Sequence, residues 1–219
     1  MLKFSMELCY PQLDVKTLSV GTLGPKETSS EQTLNYLISQ WKLQQISVSS
    51  HLFDSFTDLK ESLLENQIDL ALVPHAYEKI NDFYMEPSFK LGFIFTYPTP
   101  VYGLAKRKNE EIVLENCTLV THPAPLPLLP YLLPGDLNQN KIKIKFVNST
   151  SVAAIQVKQG LADLAITNEN ALREYDLEFI SQYGKIEMSW SLFHKKENTM
   201  IQSIYLQLLN PCCTLLREI

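Results

Sequence analysis

Apolar positions along the chain recur with two periods, and the switches between them mark out strands and helices. Thr17–Leu23 alternates and is rich in β-formers, which predicts a strand, and Gly24-Pro25 ends it. Beyond Thr28 the spacing changes: Leu34, Leu37, Ile38 and Trp41 fall on one face of a helix. Thr28-x-x-Glu31 and Ser29-x-x-Gln32 read as overlapping capping boxes at its start. The pattern then predicts a strand at Gln45–Ser49 and a helix after Asp54-Ser55 that buries Phe56, Leu59 and Leu63. A strand at Ile68–Val73 follows, leading into a loop from Pro74. Leu91–Lys106 reads as two extended runs around Tyr97-Pro98-Thr99-Pro100, and Cys117–Thr121 as a short strand. Pro123–Pro134 holds five prolines among leucines, a constrained connection with short helical turns at most. Further on come a strand at Ile142–Val147 and a helix from near Ser149 with Ala154, Val157 and Leu161 on one face and Gly160 near its end. Strands at Asp163–Thr167, Leu177–Ser181 and Glu187–Lys195 complete the pattern.

One internal echo points to the architecture. Ile68-Asp69-Leu70-Ala71-Leu72-Val73 resembles Ala162-Asp163-Leu164-Ala165-Ile166-Thr167, and each copy follows a strand, a polar turn and an amphipathic helix. Alternating strands and helices imply α/β layers with largely parallel pairing. The repeat predicts an α/β fold of two similar lobes: residues 17–98, then 99–184, with 185–196 as a strand returning toward the first lobe. Residues 1–16 read as a leader and 197–219 as a helical tail, with Ile201, Ile204, Tyr205 and Leu208 on one face. A ligand belongs between the lobes, beyond the carboxyl ends of the strands, where helix N-termini converge.

Composition narrows the function classes. The 219 residues are 45% hydrophobic and 20% charged, with net charge −5 and mean hydropathy −0.06, so a folded globular chain is expected and a nucleic-acid partner is not. The longest apolar stretch, near Leu91–Ala105, is broken by Gly92, Pro98, Pro100 and Gly103, so no membrane span is expected. The N-terminal segment lacks a signal-peptide core, which points to the cytoplasm. Cys9, Cys117, Cys212 and Cys213 match neither a zinc spacing nor a disulfide framework, and His51, His75, His122 and His194 form no helical metal pair. No metal and no cofactor are therefore expected. Gly21–Ser30 fails the phosphate-loop spacing, and neither a nucleophile elbow nor a Cys-x-x-Cys is present.

The candidate chemistry gathers at two helix starts, Thr28-Ser29-Ser30 and Asn148-Ser149-Thr150-Ser151. A helix N-terminus offers unpaired N–H groups and partial positive charge, and hydroxyls add directional donors. Such clusters usually serve ordinary capping. Their matching places in the two units suggest instead a small dianion, such as a dicarboxylate, held across the cleft.

Val20-Gly21-Thr22-Leu23-Gly24-Pro25-Lys26-Glu27-Thr28-Ser29-Ser30-Glu31 resembles the opening motif of the prephenate dehydratase superfamily. The likeness continues through Val73–Pro87, Thr99–Arg107, Val120–Leu129, Val147–Ala154, Ala165–Phe179 and Met188–Lys195, covering roughly residues 18–196. It is nearer still to the prephenate decarboxylases of the bacilysin and aeruginosin pathways, most specifically in Met188-Ser189-Trp190-Ser191-Leu192-Phe193. The resemblance implies a type II periplasmic-binding-protein-like fold, with prephenate as the small-molecule substrate and a carboxy-lyase activity. It leaves room for a homo-oligomer.

A dehydratase protonates the ring hydroxyl as carbon dioxide leaves, and the ring becomes aromatic. Its Thr-Arg-Phe hallmark is Ser191-Leu192-Phe193 here, and the Glu-Asn-Ser expected after Val-Pro-Ile is replaced by the run His75-Ala76-Tyr77. Loss of the arginine removes a bidentate carboxylate clamp. The resemblance thus implies decarboxylation that keeps the hydroxyl, in antibiotic or other natural-product biosynthesis. A dehydratase and a non-catalytic anion-binding module are the alternatives. The candidate catalytic residues are His75 and His122, which follow strand ends and are alternative proton donors beside the substrate's own hydroxyl, Trp190 and Leu192 as a dry wall, and Ser191. Substrate-binding candidates are Thr28, Ser29, Ser30, Ala76, Tyr77, Tyr102, Asn148, Ser149, Thr150, Thr167, Asn168 and Ser189. Glu27 stands where the opening motif usually has glycine, so a left-handed backbone there would be strained. About 24 residues follow Lys195, too few for the dehydratases' regulatory domain, and feedback control through one is not expected.

Overall fold

The computed structural model describes residues 17–42, 46–135, 142–198 and 201, so the expectations for residues 1–16, Ile204, Tyr205 and Leu208 lie outside it. The first lobe runs β1 (Leu18–Leu23), α1 (Ser29–Lys42), β2 (Val48–Phe53), α2 (Phe56–Leu64), β3 (Leu70–Pro74), α3 (Asn81–Tyr84) and β4 (Phe89–Thr96). The second runs β5 (Tyr102–Arg107), β6 (Thr118–Thr121), a 3-10 turn at Leu126–Leu128, α4 (Leu129–Leu132), β7 (Lys143–Phe146), α5 (Thr150–Lys158), β8 (Leu164–Asn168), α6 (Glu169–Glu174) and β9 (Leu177–Gly184). A last strand, β10 (Ser189–Lys195), returns to the first lobe.

The sheets are ordered β2-β1-β3-β10-β4 and β7-β6-β8-β5-β9. Four strands of each sheet run the same way and three of these pair directly, but β10 is antiparallel to its neighbours β3 and β4, and β5 to β8 and β9. The pairing is thus more mixed than alternation alone predicts, because each sheet's fourth strand comes from outside the local βαβ run. The echoed aspartates perform one task twice. The Asp69 carboxylate accepts from the Ser19 N–H at 2.9 Å, and that of Asp163 from the Thr118 N–H at 2.7 Å, each pinning a strand to its neighbour.

Each face of each sheet carries its own core. Leu34, Leu37 and Trp41 of α1 pack on Leu18, Val20, Leu72 and Leu192, while Leu59 and Leu63 of α2 pack on Ala71, Val73 and Phe193. In the second lobe Ala153, Ala154 and Val157 of α5 pack on Val120 and Ala165. Leu161 is 59% exposed, because α5 ends at Lys158 and Gly160 turns the chain with φ +74°. β2 begins three residues beyond the predicted start, as an edge strand with no buried residue to mark its period. The four-residue α3 and six-residue α6 are too short for a helical period to show.

Two segments join the lobes side by side. The Tyr97 N–H donates to the Met188 carbonyl and that of Thr99 to the Ile186 carbonyl, both at 2.9 Å. No helix among the described residues is long and apolar enough to cross a membrane.

Candidate active site

Beside this double crossing lies a cleft lined from both lobes. A wider mouth, lined by Ser55, Glu78, Lys79, Phe146 and Asn148, shares Leu23, Phe56, Tyr77 and His122 with it. The strands explain what reaches the inner cleft. Trp190 pairs with Pro74, and Tyr102 with Asn168, at the same step of the two antiparallel seams. Each seam therefore sends one aromatic ring into the cleft, beside Phe56 and Tyr77 of the first lobe.

The two rings differ in where their polar atoms go. The Trp190 indole N–H donates to the Tyr97 carbonyl at 3.0 Å, leaving the ring's carbon surface to the cleft. Met188, Phe56, Leu23 and Pro74 extend this apolar side. The Tyr102 hydroxyl instead bonds the Ser29 hydroxyl at 2.9 Å and also that of Thr150. The cleft thus has a dry wall and a polar end.

Both expected helix starts reach the polar end. The Thr28 hydroxyl accepts from the Glu31 N–H at 3.1 Å, and the Ser149 hydroxyl from the Val152 N–H at 3.1 Å. Ser29, Ser30 and Thr150 line the cleft beside these caps. The capping details differ from the predicted boxes. Glu31 reaches back to the Glu27 N–H, and Gln32 accepts from the Asn170 amide of the other lobe at 2.9 Å. Nor do the two helices occupy matching places: α1 is the first crossover of its lobe and α5 the second of the other. The counterpart of α5 is α2, whose cap Ser55 lines the mouth.

The ionisable groups of the inner cleft are held neutral. Among the described residues, no Asp, Glu, Lys or Arg lines it. Burial pushes the His122 imidazole below its usual value, with Glu78 acting weakly the other way. The Ala124 N–H donates to His122 Nδ1 at 3.1 Å, which places the neutral ring's proton on Nε2. Burial raises the Tyr77 and Tyr102 hydroxyls, and Asp82 and Glu78 add to the rise at Tyr77. No cluster of His, Cys, Asp and Glu able to hold a metal ion exists among the described residues.

Of the sequence candidates, Thr28, Ser29, Ser30, Ala76, Tyr77, Tyr102, His122, Ser149, Thr150 and Trp190 line the inner cleft, and Asn148 lines the mouth. The others lie around it. His75 Nε2 bonds the Ser191 hydroxyl at 2.7 Å, and the Tyr84 hydroxyl joins both, outside the lining of the cleft. Leu192 is fully buried beneath α1. The Ser189 carbonyl accepts from the His75 N–H. The Thr167 hydroxyl donates to the Thr150 carbonyl at 2.8 Å, bracing the start of α5. Asn168 caps α6 and reaches the Glu27 carbonyl of the first lobe at 3.0 Å. Phe56, Met188, Leu23, Pro74, Ala124 and Pro125 line the cleft without having been singled out, since apolar residues at strand and helix ends carry no chemical signature; Thr99 lines it too, its hydroxyl held by the Pro100 carbonyl and the Ile186 N–H. Phe56, directly after the Ser55 cap, was the one a search for cap-flanking residues would have found.

Glu27 does have a left-handed backbone, at φ 67°. Partial burial raises its carboxyl above the usual range, and Glu31 and Glu174 add to the rise.

No family profile matches the chain. A prephenate decarboxylase of Planktothrix agardhii is 82% identical over 196 residues, covering 90% of this chain and 97% of that protein. The prephenate decarboxylase of Bacillus subtilis (strain 168) is 42% identical over 184 residues, covering 82% of this chain and 88% of that one. In fold, the chain is similar to a prephenate dehydratase of Arthrobacter aurescens, with a TM-score of 0.60 at 13% identity. That match covers 81% of this chain but 60% of the longer dehydratase. A periplasmic substrate-binding protein of Coxiella burnetii matches at a TM-score of 0.58 and 17% identity, covering 86% of this chain and 90% of that one. The likeness to both solved structures extends the type II binding-protein fold to this chain, and the identity to the Planktothrix and Bacillus proteins is decisive for kinship: the chain belongs to the prephenate decarboxylase family.

Proposed function

We propose that the cleft removes carbon dioxide from prephenate and leaves the ring hydroxyl in place. The observation that carries this reading is the neutrality of the inner cleft: its ionisable side chains are His122, Tyr77 and Tyr102, each shifted toward its uncharged form. The side-chain carboxylate of the substrate sits at the polar end, against the starts of α1 and α5 and the hydroxyls of Ser29, Thr150 and Tyr102. Helix N-termini hold such an anion without a buried cation. The ring carboxylate faces the wall of Trp190, Met188 and Phe56. A poorly solvated carboxylate is raised in energy more than the charge-dispersed transition state of its loss.

The bond between ring and carboxyl carbon breaks and carbon dioxide departs. The electron pair left behind shifts along a ring double bond, and the carbon at its far end takes a proton. His122 Nε2–H supplies that proton and regains it from solvent at the mouth, which His122 also lines. A strongly basic ring carbon accepts a proton from a weak donor, whereas a hydroxyl leaving as water needs a strong one. With weak donors alone, protonation at carbon wins and the product is a dihydro-4-hydroxyphenylpyruvate. We take the reaction to belong to natural-product biosynthesis, in the cytoplasm and without metal or cofactor; the resemblance of Met188–Phe193 to the bacilysin and aeruginosin enzymes supports the first of these.

Mass spectrometry of one incubation with prephenate decides the matter. The expected product has lost carbon dioxide alone. Loss of carbon dioxide together with water would make the protein a dehydratase, and binding with no loss of mass would make it an anion-binding module.

A further inference from the structure

Resting on that reading of the cleft, we infer that Asn168 is a positioning residue, a clasp that holds the two lobes closed over the substrate. Every hydrogen-bonding direction of its fully buried amide that the structure occupies serves a protein partner, not the cleft. Its oxygen accepts from the Asn170 and Ala171 N–H groups at 2.9 and 3.0 Å, capping α6. Its NH2 group crosses to the first lobe and donates to the Glu27 carbonyl at 3.0 Å. The left-handed backbone of Glu27 aims that carbonyl, and Glu27 directly precedes the Thr28 cap of α1. A second link, from the Asn170 amide to Gln32 at 2.9 Å, lies one turn further along α1. The two links tie the helix start that receives the anion to the lobe that supplies the other helix start.

Closure of two lobes about a hinge is a two-state motion, and a ligand that binds the closed state alone loses apparent affinity in proportion to the closed fraction. The clasp therefore acts on KM and leaves the chemical step alone. One atom separates this role from capping. Asn168→Asp keeps the capping oxygen and replaces the crossing donor with an acceptor facing the Glu27 carbonyl.

Three measurements on Asn168→Asp test the inference: thermal unfolding, kcat and KM for carbon dioxide release, and small-angle scattering without substrate. The expected result is a Tm within a few degrees of the parent, a KM about tenfold higher, a kcat within twofold, and a larger radius of gyration. Tenfold corresponds to about 1.4 kcal/mol. A parental KM and radius overturn the inference, as does a collapse of kcat at unchanged KM, which would put Asn168 in contact with the substrate. Should Asn168→Asp fail to fold, Gln32→Ala carries the test: it removes the second link alone, with KM expected about threefold higher and parental values overturning the clasp. Should the parent release no carbon dioxide, the proposed activity fails by itself, and the scattering arm still decides the clasp.

Discussion

The two lobes share a plan and differ in what they pack into it. Superposing Asp69 on Asp163 by sequence register matches Gly21 with Val120, Leu59 with Ala153, Leu192 with Leu104 and Trp190 with Tyr102. Where the first lobe has glycine on β1 it has leucine on the covering helix; where the second has valine on β6 it has alanine. A Cβ on Gly21 would come within 2.6 Å of Leu59 and Phe53 and 2.7 Å of Ile68. The volumes trade across the layer while the backbone plan stays the same, as close packing requires. The cleft shows the same kind of trade. The first lobe contributes the Trp190 indole, Tyr77 and the apolar wall, and the second contributes Tyr102 and His122, so a near-symmetric frame encloses an asymmetric site.

Charging the matched core positions tests the shared plan with the largest effect. Leu192→Arg and Leu104→Arg each bury an unpaired cation in a fully buried position and should each cost about 4 kcal/mol in urea unfolding. A folded, stable Leu192→Arg would show that this side chain reaches the cleft instead. The volume trade comes next. Gly21→Val alone should cost about 3 kcal/mol, and the loss in Gly21→Val with Leu59→Ala should fall short of the sum of the two single losses, since Leu59 is one of the three side chains the new Cβ meets. Additive losses in that cycle would break the comparison.

His122 stands in the second lobe where Leu23 stands in the first, each two residues beyond the matched pair Gly21 and Val120. His122→Leu should lower kcat about 100-fold, or about 2.7 kcal/mol of barrier. Its effect on stability has a definite sign. The folded imidazole is below its ordinary value, so the unfolded chain binds more protons between the two. The parent therefore loses stability as pH falls from about 6.5 through the folded value, and the leucine variant lacks that loss. Unfolding midpoints should draw apart in the variant's favour at acid pH. The smallest effect belongs to the dry wall. Met188→Lys puts a cation beside the ring carboxylate, so both KM and kcat should fall, kcat by about tenfold. An unchanged kcat would remove poor solvation from the mechanism.

Much of the frame was legible because it is local. The helical spacing of Leu34, Leu37 and Trp41, the Ser55 and Ser149 caps and the Asp69 and Asp163 echo each record one structural act within a few residues. The helix starts of the site were legible for the same reason, since caps sit where strands hand over to helices. What stayed hidden depends on distant pairing. Ser191 lies 116 positions from His75, and nothing near either residue reveals their bond. Strand alternation puts Trp190 and Leu192 on one face, as the sequence reading had them, but Leu192 lies one step deeper and α1 covers it. The expected symmetry of the two capped helix starts is not found, because a capping motif does not say which crossover it begins.

The return of β10 has a consequence for biosynthesis. This strand is inserted between β3 and β4, so the first lobe's sheet is incomplete until the last residues of the described fold have left the ribosome. The second lobe is continuous from Tyr102 to Gly184 and emerges whole before then. Synthesis thus runs opposite to the order of completion: the half made first must wait with an open seam, and the half made later is the one able to close early.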